Sequence, residues 1–180
     1  MFTVNIWREF RYLLLAALLM YGVAAIAGAA VGSFEPMEKS AAEIPRDPLY
    51  YIGHNSRASL LFVSGLLTIG MSSIFALFAN GFMIGFSVAS KMQETAFAAT
   101  MMHVVPHGIF EVPAMILAGA VGLYPLQLII RYARGIKPVR IAWVQLAQSV
   151  VLIAALIAAA GVVEAWITPH IIESILSVGG

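Results

Sequence analysis

Three side chains that could carry chemistry lie close together in an otherwise apolar stretch: His103, His107 and Glu111. Their spacing is i, i+4 and i+8, so a continuous helix would present them on one face, one turn apart. Imidazole nitrogens and carboxylate oxygens are ligands that zinc and other divalent transition metals accept. The pattern predicts a metal site or a proton-relay site. The alternative is a structural hydrogen-bonded pair of His107 and Glu111.

Two prolines influence how these side chains are positioned. Pro106 lacks an N–H and crowds the carbonyl four residues earlier, so it suits the first position of a helix better than the interior. We therefore expect a helix to open near Pro106 and to carry His107 and Glu111, with His103 reaching in from the preceding segment. Distortion near Pro113 would free a backbone carbonyl to join the site.

Five further polar residues are candidates for the same or a second polar site. Lys91 and Glu94 are spaced i, i+3 and can pair inside a predicted span, or they mark the end of a short re-entrant segment. His54 and Asn55 precede an apolar run and either join the His/Glu site or, for Asn55, cap a helix. Glu164 reaches the site only if the last span tilts or ends at that level.

The composition indicates an integral membrane protein of the cell membrane. Of the 180 residues, 61% are hydrophobic and 11% are charged, with a mean hydropathy of +0.92. A net charge of +1 gives no basis for nucleic-acid binding. The chain has no cysteine, which excludes disulfides, thiolate zinc sites and a cysteine nucleophile.

The uncharged runs predict an all-α bundle of five transmembrane helices in a single domain. Residues 58–90 carry no charge over 33 residues, more than the ~20 that one span needs, and Asn80-Gly81 is a turn-forming pair within them. Residues 35–57 form a polar loop that contains one short helix. The predicted spans are 12–34, 58–79, 81–103, 106–130 and 141–163.

Charge asymmetry predicts the orientation of these spans. Residues 131–140 contain four cations and no acid, so the positive-inside rule assigns this loop to the cytoplasm. The N-terminus, with Arg8 and Arg11, is also cytoplasmic. Five spans then leave the 35–57 loop and the C-terminus outside.

Two glycines indicate how the helices pack. Gly81 and Gly85 form a Gly-x-x-x-Gly pattern that favours close helix packing, and a homodimer is compatible with it.

The sequence has no His-Glu-x-x-His, nucleophilic-serine, P-loop or dinucleotide-binding motif, so we assign no catalytic residue. A scaffold or permease-like component is therefore favoured over an enzyme. The alternative is an intramembrane metal-dependent hydrolase or a metal-ion or proton carrier, with zinc the expected metal.

Four segments together resemble the stage II sporulation protein M family of multi-pass membrane proteins. They are His54-Asn55, Asn80-Gly81 with Gly85, Pro106-His107-Gly108-Ile109-Phe110-Glu111, and Glu164-Ala165-Trp166-Ile167-Thr168-Pro169. The resemblance implies a multi-pass fold and a site at His107 and Glu111. The family's namesake gathers peptidoglycan-degrading proteins during sporulation, so the resemblance also implies membrane or cell-envelope proteins as partners, besides the lipid bilayer.

Overall fold

The apolar runs fold into helices in the part of the chain that the computed structural model describes, residues 6–34, 47–95, 97–136 and 141–170. The described residues contain no strand, so the all-α prediction is confirmed for them. Six helices are labelled α1 (Ile6–Gly32), α2 (Pro48–Val63), α3 (Met71–Glu94), α4 (Phe97–Gly122), α5 (Tyr124–Ala133) and α6 (Trp143–Val162). A 3₁₀ turn, Ser64–Leu66, extends α2, and a π-helical turn, Val163–Ile167, extends α6.

Within the described ranges, four helical stretches are long and apolar enough to cross a membrane. They are Arg8–Gly32, Met71–Glu94, Gly108–Ala133 and Trp143–His170. α2 has 16 residues, fewer than the ~20 that a perpendicular span needs. The count of five spans therefore stays a prediction, with α2 and its 3₁₀ extension as the element on which it depends.

The predicted turn at Asn80-Gly81 is wrong, because both residues lie inside α3. The Asn80 side chain donates from Nδ2 to the carbonyl oxygen of Ala76 at 3.2 Å, which satisfies the amide within the helix. The turn before α3 comes earlier, at residues 67–70. Ile69 and Gly70 have φ of 56° and 89° there, and a left-handed conformation at two successive residues reverses the chain.

The predicted helix start at Pro106 is also wrong, because α4 begins at Phe97 and contains both Pro106 and Pro113. An interior proline removes one backbone hydrogen bond, but neighbouring helices and small local adjustments compensate for it in membrane helices. α4 contacts α1, α2, α3 and α6. Residues 114–124 are buried without interruption, so the second half of α4 and the start of α5 lie at the centre of the bundle. α4 ends at Gly122 and α5 begins at Tyr124; together they contain the apolar stretch Gly108–Ala133, where the sequence predicted a span over 106–130.

The predicted loop 35–57 is shorter than expected, because α2 already begins at Pro48. The carboxylate of Asp47 accepts a hydrogen bond from the backbone N–H of Leu49 at 2.9 Å and caps the helix. Asn55 lies in the interior of α2, so it is not a helix cap. Residues 35–46 of the predicted loop lie outside the described part of the chain.

α1 and α3 form the most extensive helix pair of the bundle. A Cβ atom at Gly81 would overlap the carbonyl oxygen of Tyr21, and one at Gly85 would overlap that of Ala25. On the facing helix, a Cβ atom at Gly28 would overlap the carbonyl oxygen of Phe82. Because glycines on both helices leave no room for a side chain, the two backbones approach each other directly.

Charged and aromatic side chains join α1, α5 and α6 at one end of the bundle. The Glu9 carboxylate lies 3.3 Å from the guanidinium of Arg131 and accepts a hydrogen bond from the Tyr124 hydroxyl at 3.3 Å. The Tyr124 hydroxyl in turn accepts a hydrogen bond from the backbone N–H of Ala142 at 3.0 Å, and its ring packs 5.3 Å from that of Phe10. We call this the arginine end; its described arginines are Arg8, Arg11, Arg131 and Arg134.

Candidate functional site

Glu111 is the carboxylate that α4 carries into the bundle. It is half-buried and lies three residues before the continuously buried stretch 114–124. Since α4 contacts four other helices, a side chain at this depth lies near residues from several of them. A carboxylate in such surroundings is costly unless positive charge or hydrogen-bond donors compensate for it.

α2 brings a histidine and an amide toward the same region. Its buried face carries Tyr51, Asn55 and Ser59, spaced one helical turn apart. His54 precedes Asn55 and is exposed at the edge of this face. α2 therefore presents one buried polar group and one accessible imidazole side by side.

Glu164 lies in the π-helical turn that follows α6. The carbonyl oxygen of Val163 accepts hydrogen bonds from the backbone N–H of Thr168 and, at 3.2 Å, from the Thr168 hydroxyl. Thr168 is buried, so this hydrogen bond stabilises the π-helical turn on the side that faces the bundle interior. π-helical turns in otherwise regular helices occur frequently at functional sites.

A glycine in α6 allows α2 to approach Glu164. A Cβ atom at Gly161 would lie 2.6 Å from Cγ1 of Ile52 and 3.1 Å from the carbonyl oxygen of Pro48. The first two turns of α2 therefore pack directly on the end of α6. This contact brings the start of α2, with Tyr51, His54 and Asn55 on its next turn, close to the end of α6 that precedes Glu164.

Electrostatic interactions connect the polar residues of α2, α4 and the π-helical turn. Glu111 interacts with His54 and with Glu164. We call His54, Asn55, Glu111 and Glu164 the polar cluster. Two carboxylates from distant parts of the chain thus lie within electrostatic reach of each other, next to a histidine.

Asn55 has an unused hydrogen-bond donor. The residue is 3% exposed, and its Nδ2 has no hydrogen-bond partner in the described structure. A buried amide without a partner typically costs about 1–3 kcal/mol, so such groups are uncommon in folded proteins and call for an explanation. A bound acceptor, such as a water molecule or an ionised carboxylate, would satisfy it.

Two tyrosines next to the polar cluster were not expected from the sequence. Tyr21 of α1 interacts electrostatically with Glu111, and Tyr51 of α2 interacts with Glu164. Both are buried. Tyr21 lies in an uncharged run of 23 residues, where a phenol looks like an ordinary interior aromatic residue. Only their electrostatic interactions with the carboxylates distinguish these two tyrosines.

His103 and His107 have a described backbone but no described side chain. Both lie on α4, which continues without a break to Glu111. The described residues contain no group of three or more histidine, aspartate or glutamate side chains that could hold a metal ion. The metal site at His103, His107 and Glu111 therefore stays a prediction.

Lys91 and Glu94 lie outside the polar cluster. Both are exposed and occupy the last turn of α3, where the middle of a span was expected. The difference follows from the position of the turn before α3. Because that turn lies at residues 67–70, α3 begins about ten residues earlier than predicted and ends at Glu94.

The family described as stage II sporulation protein M matches residues 13–169 of the chain. This range contains most of α1, all of α2 to α6 and every residue of the polar cluster. The chain belongs to this family.

The chain is similar to a further protein over part of its length. An uncharacterized protein of Methanocaldococcus jannaschii is 30% identical over 70 residues, which is 38% of this chain and 39% of that protein. The match thus spans less than half of the length of that relative. No solved structure matches the chain. Family membership and the four apolar stretches together identify a helical membrane protein.

Proposed function

We propose that the protein is a permease-like component of the cell membrane whose polar cluster binds and releases a proton or a small cation. The observation that carries the proposal is the electrostatic interaction of Glu111, on α4, with Glu164, in the π-helical turn that packs against α4. Ionisable groups inside a membrane bundle are rare and typically belong to ion or proton pathways.

The charges of the cluster support a positively charged ligand. Two ionised carboxylates in a poorly solvated interior repel each other, and the pair needs a proton or a cation between them. His54 supplies at most one positive charge against two negative charges. A second positive charge, taken up and released, would balance the site.

Each residue of the cluster has a distinct role in this proposal. Glu111 and Glu164 hold the proton or cation between them. His54, which is exposed, exchanges it at the edge of the site. The free Nδ2 of Asn55 donates a hydrogen bond to an ionised carboxylate or to a bound water molecule.

Ion flux across liposomes tests the proposal. Purified protein is reconstituted with an internal pH-sensitive dye, and a proton gradient or a gradient of sodium or potassium ions is imposed. The wild type should dissipate one of these gradients faster than empty liposomes. Glu111→Gln and Glu164→Gln should abolish the difference, while Glu94→Gln, which removes an exposed carboxylate at the end of α3, should keep it. No flux in the wild type, or equal flux in all variants, would overturn the proposal.

A second candidate is a metal-dependent protein that uses His103, His107 and Glu111. The continuity of α4 favours it, because these residues then share one helix at i, i+4 and i+8. Two imidazoles and one carboxylate with an open position suit zinc, in a carrier or in a hydrolase. Elemental analysis of the purified protein tests it: a near-stoichiometric metal should be lost in His107→Ala and retained in Glu94→Gln.

A scaffold role remains if neither flux nor metal is found. The resemblance of the polar segments to the stage II sporulation family supports that role through envelope protein partners. Crosslinking in intact membranes would identify such partners, and light scattering in detergent would decide between a monomer and the expected homodimer.

A further inference from the structure

The arginine end carries more positive charge than its own acids balance. Among the described residues, Glu9 is the acidic side chain at this end, against Arg8, Arg11, Arg131 and Arg134. The carboxylate of Glu9 is engaged by Arg131 at 3.3 Å and by the Tyr124 hydroxyl at 3.3 Å. Three guanidinium groups are left without an acidic partner in the described structure.

These three arginines lie close to the ion pair between Glu9 and Arg131. Arg8 is the neighbour of Glu9 on α1, and Arg134 follows Arg131 by one helical turn at the end of α5. Arg8 and Arg134 therefore flank the ion pair on two different helices, and both are exposed. Arg11 lies one turn after Arg8, with its guanidinium 4.6 Å from the centre of the Tyr12 ring.

Exposed aromatic side chains place this end at the depth of the lipid headgroups. Tyr12, Tyr132 and Trp143 are 65%, 66% and 71% exposed, and they come from the three helices that meet here. Tyrosine and tryptophan are enriched where a membrane protein crosses from hydrocarbon to water. Arginines at that depth face phosphate groups rather than soluble anions in bulk water.

We propose that the arginine end is a binding site for the phosphate groups of anionic phospholipids, formed by Arg8, Arg11 and Arg134. Guanidinium groups bind phosphate oxygens in a bidentate manner, and each basic residue near an anionic membrane surface adds to the attraction. Because α1 and α5 both contribute, a bound lipid links the start of the bundle to the segment between α5 and α6. This inference is independent of the polar cluster.

Thermal unfolding in nanodiscs of two compositions tests the lipid site. Wild-type protein should unfold about 5 °C higher in phosphatidylcholine with one quarter phosphatidylglycerol than in phosphatidylcholine alone. Arg134→Gln should lose part of this difference, and the triple variant Arg8→Gln, Arg11→Gln, Arg134→Gln should lose most of it. Lys91→Gln is the matched control, since it removes one exposed cation at the end of α3, and it should keep the full difference.

Two results would overturn the lipid site. One is an equal effect of phosphatidylglycerol on the wild type and on Arg134→Gln and the triple variant. The other is an equal stabilisation by soluble glycerol phosphate added to phosphatidylcholine nanodiscs, which would indicate a site for free anions. If the triple variant does not insert, native mass spectrometry of Arg134→Gln decides instead: it should retain fewer phosphatidylglycerol molecules than Lys91→Gln, and equal retention would contradict the proposal.

Discussion

Glu111 of α4 and Glu164 of the π-helical turn interact electrostatically inside the helical bundle, although a whole membrane helix separates them in sequence. Neither carboxylate lies next to an acidic residue along the chain. Their interaction depends on the packing of α4 against α6 and against the π-helical turn that contains Glu164.

The two carboxylates should be energetically coupled. In a double-mutant cycle of Glu111→Gln and Glu164→Gln, we expect a coupling free energy of about 0.5–3 kcal/mol, because each variant removes the repulsion felt by the other. Unfolding in detergent at neutral pH measures it. The cycle of Glu111→Gln with Glu94→Gln should be additive. Additive behaviour of Glu111 and Glu164 would mean that the two side chains act separately.

Replacing the glycine at the contact between α2 and α6 should lower stability more than replacing a glycine on a free helix face. Gly161→Ala should lower the free energy of unfolding by about 1–3 kcal/mol, since the added methyl group meets Ile52 and the backbone of α2. Gly53→Ala is the matched control. Nothing lies within 4 Å of its new methyl group, so alanine should leave stability unchanged or raise it by up to about 1 kcal/mol. The same sign for both variants would contradict the close contact.

The contact between α1 and α3 should depend on glycine in the same way. We expect Gly85→Ala to destabilise the protein by about 1–3 kcal/mol, because the methyl group would overlap the carbonyl oxygen of Ala25. Gly22→Ala, on α1 and without a neighbour within 4 Å, should be neutral or stabilising. Thermal unfolding in detergent compares the two variants. Wild-type stability of Gly85→Ala would place this glycine against lipid.

The orientation in the membrane can be read from single cysteines, since the chain has none of its own. A cysteine at Ala133, which is exposed at the end of α5, should be protected from a membrane-impermeant thiol reagent in intact cells. A cysteine at Phe34, exposed after α1, should react. Labelling after cell lysis is the control for accessibility. The opposite pattern would overturn the assignment of residues 131–140 to the cytoplasm.

The helical membrane class of the protein was predictable from composition, because long uncharged runs have few other stable structures in a bilayer. The polar residues His54, Glu111 and Glu164 could also be selected from the sequence, since they are costly in apolar surroundings. The positions of the turns were harder to predict from the sequence. Asn80-Gly81 and Pro106 carry strong local turn and helix-start signals, yet both lie inside helices. In membrane proteins, packing against neighbouring helices and small local adjustments can outweigh such local signals.

Sequence by itself determined that this chain would form apolar helices and that a few buried polar groups would need partners. Which groups became partners was decided by tertiary structure alone. The electrostatic interaction of Glu111 with Glu164, the free Nδ2 of Asn55 and the two tyrosines that interact with the carboxylates all depend on how α1, α2, α4 and α6 pack. The spacing of residues in the sequence predicts contacts within one helix. Contacts between helices depend on side-chain volume along the whole interface, which the spacing does not give.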